Sequence, residues 1–141
     1  MKNILKRSLC LLTAILTLCA SANAVAPQEV IEDSVITPRY TYIEMTDASL
    51  TIRGGLADCS AFVSTSSSSY DVELTMELQR NRSGWDTIKT WSNSGSWSAS
   101  VDGNWYVTSG YDYRVKASVL IKNSRGSIIE DTTFYSNTES Y

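Results

Sequence analysis

Residues 71–79, DVELTMELQ, alternate strictly between polar and apolar side chains. Successive side chains of a β-strand point to opposite faces of the sheet, so this period of two predicts a strand with one buried and one exposed face. The side chains predicted to be buried are those of Val72, Leu74, Met76 and Leu78. Those predicted to face solvent are Asp71, Glu73, Thr75, Glu77 and Gln79. This is the clearest half-buried strand in the chain.

Further segments that are predicted as strands lie on both sides of it, at residues 48–52, 57–64, 85–91, 96–101, 111–121 and 127–136. Clusters of glycine, serine and asparagine separate them and predict turns at 54–55, 66–69, 81–84, 92–95 and 123–126, with a turn or bulge at 102–104. No helical periodicity follows the first two dozen residues. About seven short strands at this spacing predict an all-β fold, a two-layer antiparallel sandwich of the immunoglobulin-like type.

The first 24 residues have the composition of a secretory signal peptide. Lys2, Lys6 and Arg7 precede an apolar run, and Ala22-Asn23-Ala24 provides small residues for cleavage. The run is shorter than the roughly 20 residues that cross a bilayer, so we expect no membrane span after cleavage. Cys19 follows Leu18, whereas lipid attachment at a cysteine normally follows a small residue, and this disfavours a lipoprotein. We therefore expect a signal peptide over 1–24, a flexible leader over 25–41 and one domain over 42–141.

Cleavage would remove three basic residues and no acids, changing the formal charge from −3 to −6. An acidic surface repels phosphate groups, so nucleic acid is not an expected partner. Cleavage would also remove two of the three cysteines and leave Cys59 alone. A single cysteine cannot form an intramolecular disulfide, so Cys59 is either a small buried hydrophobe or a thiol for pairing between chains.

Residues 107–117, VTSGYDYRVKA, resemble the sixth strand of fibronectin type III and immunoglobulin domains. In those domains a tyrosine at the strand entrance hydrogen-bonds back to the preceding corner. The resemblance gives this role to Tyr113, and it places Val115 where an immunoglobulin domain has its second cysteine. Cys59 lies on the predicted second strand, the usual place of the first cysteine. Since Val115 cannot pair with it, we expect Cys59 in the core.

A wider resemblance covers residues 39–141, on the segments RYTYI (39–43), ADC (57–59), ELQR (77–80), GWDTIKTW (84–91) and YVTSGYDYRV (106–115). It is to a family of short secreted proteins of Gram-positive bacteria, mostly of clostridial type. Members consist of a signal peptide and one β-sandwich domain, and the family has no assigned activity. The resemblance implies the same fold and export for this chain, and it transfers no functional residues.

The chain contains no histidine. This excludes serine–histidine and cysteine–histidine nucleophiles and histidine-containing zinc sites. Glu73 and Glu77 share one strand face about 13 Å apart, wider than the carboxylate spacing of glycosidases, and are expected to be solvated. Loop acids such as Asp86, Asp102 and Asp112 could offer oxygens to calcium, but no calcium-loop motif is present. We expect no enzymatic activity, no cofactor and no metal.

The positive candidates for a site are the four tryptophans of residues 84–107 and the adjacent tyrosine. Exposed aromatic side chains cluster at recognition sites, and the predicted ligand-binding residues are therefore Trp85, Trp91, Trp97, Trp105 and Tyr106. Residues six apart on one strand share a face, so Trp85 and Trp91 are expected to point the same way, together with Thr87 and Lys89. The alternative is that one or two of the tryptophans close the core and the others cover sheet edges.

These features favour a secreted, non-enzymatic module that binds a cell-surface, cell-wall or other extracellular partner, either a protein or a polysaccharide. Three alternatives remain open. The first is a carbohydrate-binding module that uses the tryptophans, and the second is a small toxin or bacteriocin-like protein. The third is a small enzyme that acts through carboxylates or through Cys59.

Overall fold

The structure is a computed structural model that describes residues 40–141. The predicted signal peptide, and the predicted leader up to residue 39, lie outside the described residues. Within residues 40–141 the chain forms strands, turns and loops and contains no helix. Accordingly, this part of the chain has no helix that is long and apolar enough to cross a membrane.

Seven strands follow one another along the described chain: β1 (Ile43–Arg53), β2 (Leu56–Thr65), β3 (Asp71–Asn81), β4 (Trp85–Ser96), β5 (Ser98–Tyr106), β6 (Asp112–Lys122) and β7 (Ile128–Ser140). All pairings are antiparallel. The three-stranded sheet has the order β1-β2-β5, and the four-stranded sheet has the order β4-β3-β6-β7. This confirms the predicted all-β sandwich of seven strands.

The core lies between the two sheets and follows from the alternation in the sequence. Strand β3 contributes the four apolar side chains expected from 71–79, all fully buried, and β6 contributes an equally regular set. The three-stranded sheet supplies mostly smaller side chains to the core. Each large aliphatic side chain that folding removes from water stabilises the fold by about 1.5–3 kcal/mol. The buried apolar residues of β6 and the three-stranded sheet are Tyr113, Val115, Ala117, Val119, Ile121, Ile43, Leu50, Ala57, Cys59, Ala61, Val63, Ala99 and Val101.

The hairpin between β1 and β2 has the predicted two-residue turn. Gly54 and Gly55 have φ of 57° and 82°, the left-handed region that two-residue hairpin turns require at both central positions. Arg53 and Leu56 pair directly across the turn, so β1 and β2 remain in register from there to Thr46 and Val63.

Two predicted turns are wrong. Residues 92–95 continue β4, and residues 102–104 continue β5. Each of these strands pairs with only one neighbour and forms an edge of its sheet. Polar residues and glycine are tolerated on an edge strand because much of it faces solvent. The chain instead changes sheets at Trp97, where φ is 71°.

Backbone hydrogen bonds hold Trp97 in this conformation, which is uncommon for a bulky residue. Its N–H donates to the carbonyl of Tyr70 at 2.8 Å, and its carbonyl accepts from the N–H of Thr65 at 2.8 Å. The hydroxyl of Thr65 donates to the same carbonyl at 3.0 Å. The corner between the sheets is therefore fixed to the ends of β2 and β3.

Side chains close the lateral edge where β1 lies beside β7. The amide of Asn137 accepts from the N–H of Leu50 at 3.3 Å and donates to the carbonyl of Leu50 at 3.1 Å. Nearby, the carboxylate of Glu130 accepts from the N–H groups of Thr41 and Tyr42 at 3.1 and 2.8 Å. These contacts satisfy backbone groups that an open edge would present to another chain.

The segment that resembles an immunoglobulin strand has the contact of a tyrosine corner. The ring of Tyr113 is fully buried, and its hydroxyl donates to the carbonyl of Thr108 at 2.6 Å. Val115 is fully buried on the same strand, and Cys59 is a buried free cysteine on β2.

Candidate functional site

The five aromatic residues singled out from the sequence do not form one platform. The structure places them at four locations: the outer face of the four-stranded sheet (Trp85), the β4–β5 edge (Trp91 and Trp105), the corner between the sheets (Trp97) and the outer face of the three-stranded sheet (Tyr106). Each location therefore has to be judged by its own surroundings.

The expectation that Trp85 and Trp91 share a face is wrong, and a β-bulge is the reason. Leu78 of β3 pairs with Lys89, but the next residue, Gln79, pairs with Thr87, so Ile88 has no partner of its own. One extra residue reverses the phase of the alternation on the bulged strand. Trp85 consequently lies on the outer face, whereas Trp91 packs against the core.

Trp85 belongs to an aromatic–arginine stack on the outer face of the four-stranded sheet. The guanidinium carbon of Arg114 lies 4.1 Å from the ring centroid of Trp85 and 4.3 Å from that of Tyr135. The Nε–H of Arg114 donates to Gln79 Oε1 at 2.9 Å. The stack joins β4, β3, β6 and β7, and its guanidinium contacts both rings and a hydrogen-bond acceptor, so its primary effect is to stabilise the sheet.

The two tryptophans at the β4–β5 edge lie around a lysine. The Nζ atom of Lys89 is 4.6 Å from the ring centroid of Trp105 and 5.8 Å from that of Trp91. The indole of Trp91 extends from the four-stranded sheet over Gly103 of β5, where an added Cβ would lie 2.6 Å from Nε1. Glycine within a strand often marks such a close approach. This group closes the edge of the sandwich opposite the Asn137 contact.

Trp97 and Tyr106 are the more exposed members of the set, at 51% and 76% of their surface, and Trp105 follows at 43%. Trp97 stands alone at the corner between the sheets. Tyr106 ends β5 on the outer face of the three-stranded sheet, opposite Leu56 of β2. Two residues before Tyr106, on the same face of β5, Asn104 lines a hollow in the protein surface.

The hollow has a volume of about 380 Å³ and lies on the outer face of the three-stranded sheet. Two cross-strand rows of polar residues line it. One row joins Ser49, Ser60 and Asp102, and the other joins Thr51, Asp58 and Asn104. We call this hollow, with the six residues that line it, the polar hollow.

Most side-chain hydrogen-bonding groups of the polar hollow have no partner within residues 40–141. Ser49 Oγ and Ser60 Oγ lie 2.8 Å apart and bond to each other. Asp58, Asp102 and Asn104 are exposed, and none of the side-chain hydrogen bonds or ion pairs within residues 40–141 involves them. The hollow forms because the side chains of Ser49, Ser60 and Thr51 are short, and the longer side chains of Asp58, Asp102 and Asn104 border it.

The sequence reasoning missed this site. The alternation around Cys59 already placed Asp58 and Ser60 on the outward face of β2. However, residues 102–104 were interpreted as a turn or bulge, so their pairing with residues 58–60 could not be foreseen. The site depends on a register between β2 and β5, two strands that are far apart in the sequence.

The groups considered for enzymatic chemistry have different surroundings. Burial, with a smaller contribution from the charge of Asp58, raises the pKa of the Cys59 thiol to about 12, so a thiolate is disfavoured. On β3, Glu77 pairs with Lys116 at 2.8 Å and Glu73 with Lys122 at 2.5 Å. The hydrogen bond from Lys116 holds the pKa of the Glu77 carboxyl below its usual value.

Asp58 and Asp102 are the acid pair that faces the polar hollow. They lie on neighbouring strands and are offset by two residues, which places such diagonal pairs about 7–8 Å apart. Among the described residues, no group of three or more acidic or cysteine side chains is placed to hold a metal ion.

No family model matches the chain, and a search of curated proteins finds no significant match.

Proposed function

We propose that this protein is a secreted, non-enzymatic binding module that contacts an extracellular partner through the outer face of the three-stranded sheet. Export is the expectation from residues 1–24. The observation that supports this surface is Tyr106, which is three-quarters exposed and lies two residues along the same face of β5 from Asn104, a residue that lines the polar hollow. An exposed aromatic ring beside polar groups without partners is a typical recognition surface.

The other aromatic groups support this choice by contrast. Trp85 and Tyr135 hold Arg114 between them, and Trp91 packs against the core over Gly103. Removing any of these rings is expected to lower the stability of the fold. Tyr106 has no such role, so its exposed ring is available to a partner.

Cosedimentation of the purified protein with intact bacterial cells, purified cell walls and extracellular matrix tests this proposal. We expect binding to one of these materials, and we expect Tyr106→Ala to weaken it about tenfold. Tyr135→Ala is the matched control, because Tyr135 is an exposed tyrosine on the opposite sheet. Binding to none of the materials, or equal weakening by the two variants, would contradict the proposal.

A further inference from the structure

We propose that the polar hollow, together with Tyr106, is a binding site for a neutral polysaccharide chain. This inference rests on the proposed function and deepens it by naming the class of ligand and the residues that contact it. It shifts the carbohydrate-binding role from the tryptophans, where the sequence suggested it, to the outer face of the three-stranded sheet.

The groups in the hollow complement sugar hydroxyls. The carboxylates of Asp58 and Asp102 accept hydrogen bonds, Asn104 can donate and accept, and the hydroxyl of Thr51 can do both. A sugar hydroxyl is likewise both donor and acceptor, so it can satisfy each of these groups. Neither of the two rows that line the hollow contains a lysine or arginine. By register the exposed Arg53 lies in the next row, with Leu56 and Tyr106, and so stands beside the two carboxylates rather than between them. The two carboxylates at the centre of the site favour a ligand rich in hydroxyl donors over a phosphorylated or carboxylated one.

Along the strand direction, aromatic rings stand on either side of the two polar rows. Tyr106 lies two residues beyond Asn104 on the same face of β5, and Phe62 lies two residues beyond Ser60 on the same face of β2. Two residues along a strand span about 7 Å. The apolar face of a sugar ring can stack on Tyr106 while its hydroxyls reach Asn104 and Asp58. A chain running along the strands would contact a ring, two polar rows and a second ring.

The shape of the hollow also suits a chain better than a small enclosed ligand. Its volume of about 380 Å³ lies at the lower end of the range for ligand pockets, and it is open along the sheet face. An open, polar surface holds a polymer through several modest contacts along its length. We therefore expect weak binding of short oligosaccharides and tighter binding of the polymer.

The experiment measures cosedimentation of the purified protein with four preparations of Gram-positive cell wall. They are native walls, walls digested with protease, walls stripped of anionic polymers with hydrofluoric acid, and walls oxidised with periodate, which cleaves the vicinal diols of sugars. A neutral polysaccharide ligand predicts binding to the first two preparations and a loss of at least tenfold on the fourth. Hydrofluoric acid cleaves phosphodiesters and therefore also releases neutral chains that are attached through one. The polymers released from the third preparation are separated by anion exchange, and the neutral fraction should compete with native walls for the protein.

Variants locate the contact on the protein. We expect Tyr106→Ala and Asn104→Ala each to weaken binding about tenfold, and Asp102→Asn to weaken it about threefold or more. Asp131→Asn removes an exposed carboxylate from the four-stranded sheet, and Tyr135→Ala removes a half-exposed ring from it; both should bind within about twofold of wild type. Thermal unfolding of each variant verifies that it is folded.

Each contrary result has a distinct meaning. Binding that survives periodate and is lost with protease, or binding that the hollow variants do not change, would overturn this inference and leave the proposed function standing. Competition by the anionic fraction released with hydrofluoric acid, and not by the neutral fraction, would show an anionic ligand and would also overturn it. Binding to no wall and no other extracellular material would overturn both. Release of reducing ends from the walls would overturn the non-enzymatic part of the proposed function.

Discussion

Replacing Gly103 by alanine would place a methyl group against the indole of Trp91. The added Cβ would lie 2.6 Å from Nε1 and 2.8 Å from Cδ2, closer than carbon atoms approach without displacement. The obstacle is a rigid ring that packs against the core, so either the indole or β5 must move. Overpacking of this kind typically destabilises a protein by about 1–3 kcal/mol.

The backbone does not add to this effect, because φ of Gly103 is not in the left-handed region. At such a position, alanine by itself stabilises a protein by about 0.4–1 kcal/mol through the unfolded state. The net destabilisation should therefore be about 1–2 kcal/mol, which in a domain of this size lowers Tm by about 5–10 °C. Urea unfolding followed by tryptophan fluorescence measures it.

A double-mutant cycle with Trp91→Ala isolates the contact. Without the indole, the close contacts of the added methyl group are removed, so Gly103→Ala should be neutral or stabilising in the Trp91→Ala background. If Gly103→Ala destabilises both backgrounds equally, or leaves the wild-type protein unaffected, the proposed closure of the β4–β5 edge by Trp91 is refuted.

Three further predictions concern single groups. Tyr113→Phe removes the hydroxyl that donates to the carbonyl of Thr108, and in urea unfolding it should destabilise the protein by about 1–3 kcal/mol; no loss would contradict the corner contact. Cys59, with its pKa raised to about 12, should resist iodoacetamide at pH 8 in the folded protein and react readily in urea, and equal rates would show that the thiol is accessible. Lys116 lowers the pKa of Glu77, so this pair stabilises the protein above the usual glutamate pKa, and the gain is lost as the pH falls through the folded-state pKa. Glu77→Gln should therefore flatten the fall in Tm between about pH 5 and 3, and an unchanged slope would show that the pair does not contribute.

The central strands could be predicted from the sequence because their two faces have different surroundings. Strand β3 is covered by the core on one side and faces solvent on the other, so its side chains alternate from Asp71 to Leu78. The prediction that Gln79 faces solvent is wrong: its amide is buried on the outer face, where it bonds to Arg114 and Thr87. Strand β6 pairs with β3 and repeats the pattern from Tyr113 to Ile121. Burial on a single face is a strong constraint, and it leaves a clear period of two in the residues.

The edge strands could not be predicted in the same way. Strand β4 has one neighbour, and its polar residues at 92–95 resemble a turn because few of them need to be apolar. The bulge at Ile88 arises from the pairing with β3, and no local feature of the sequence marks it. For this reason the sequence predicts the strand correctly but predicts the wrong orientation of Trp85 relative to Trp91.

The candidate site depends on the pairing of β2 with β5, which no local pattern in the sequence indicates. Asp58 and Asn104 are separated by most of the domain, and they become neighbours only when β2 and β5 pair. Gly103 suggested a turn, whereas in the structure it accommodates the ring of Trp91. Tyr106 could be named from its type and its neighbours in the sequence, but the hollow beside it could not.

The most direct test of the proposed site is a titration of the isotopically labelled protein with a neutral polysaccharide released from the cell wall, followed by NMR chemical shifts. The account predicts that the largest shifts occur at Ser60, Asp102, Asn104 and Tyr106, on the outer face of the three-stranded sheet. Shifts centred on Trp85 and Tyr135 of the opposite sheet would contradict it. An unchanged spectrum would also contradict it, if the polysaccharide was released from walls with which the protein cosediments.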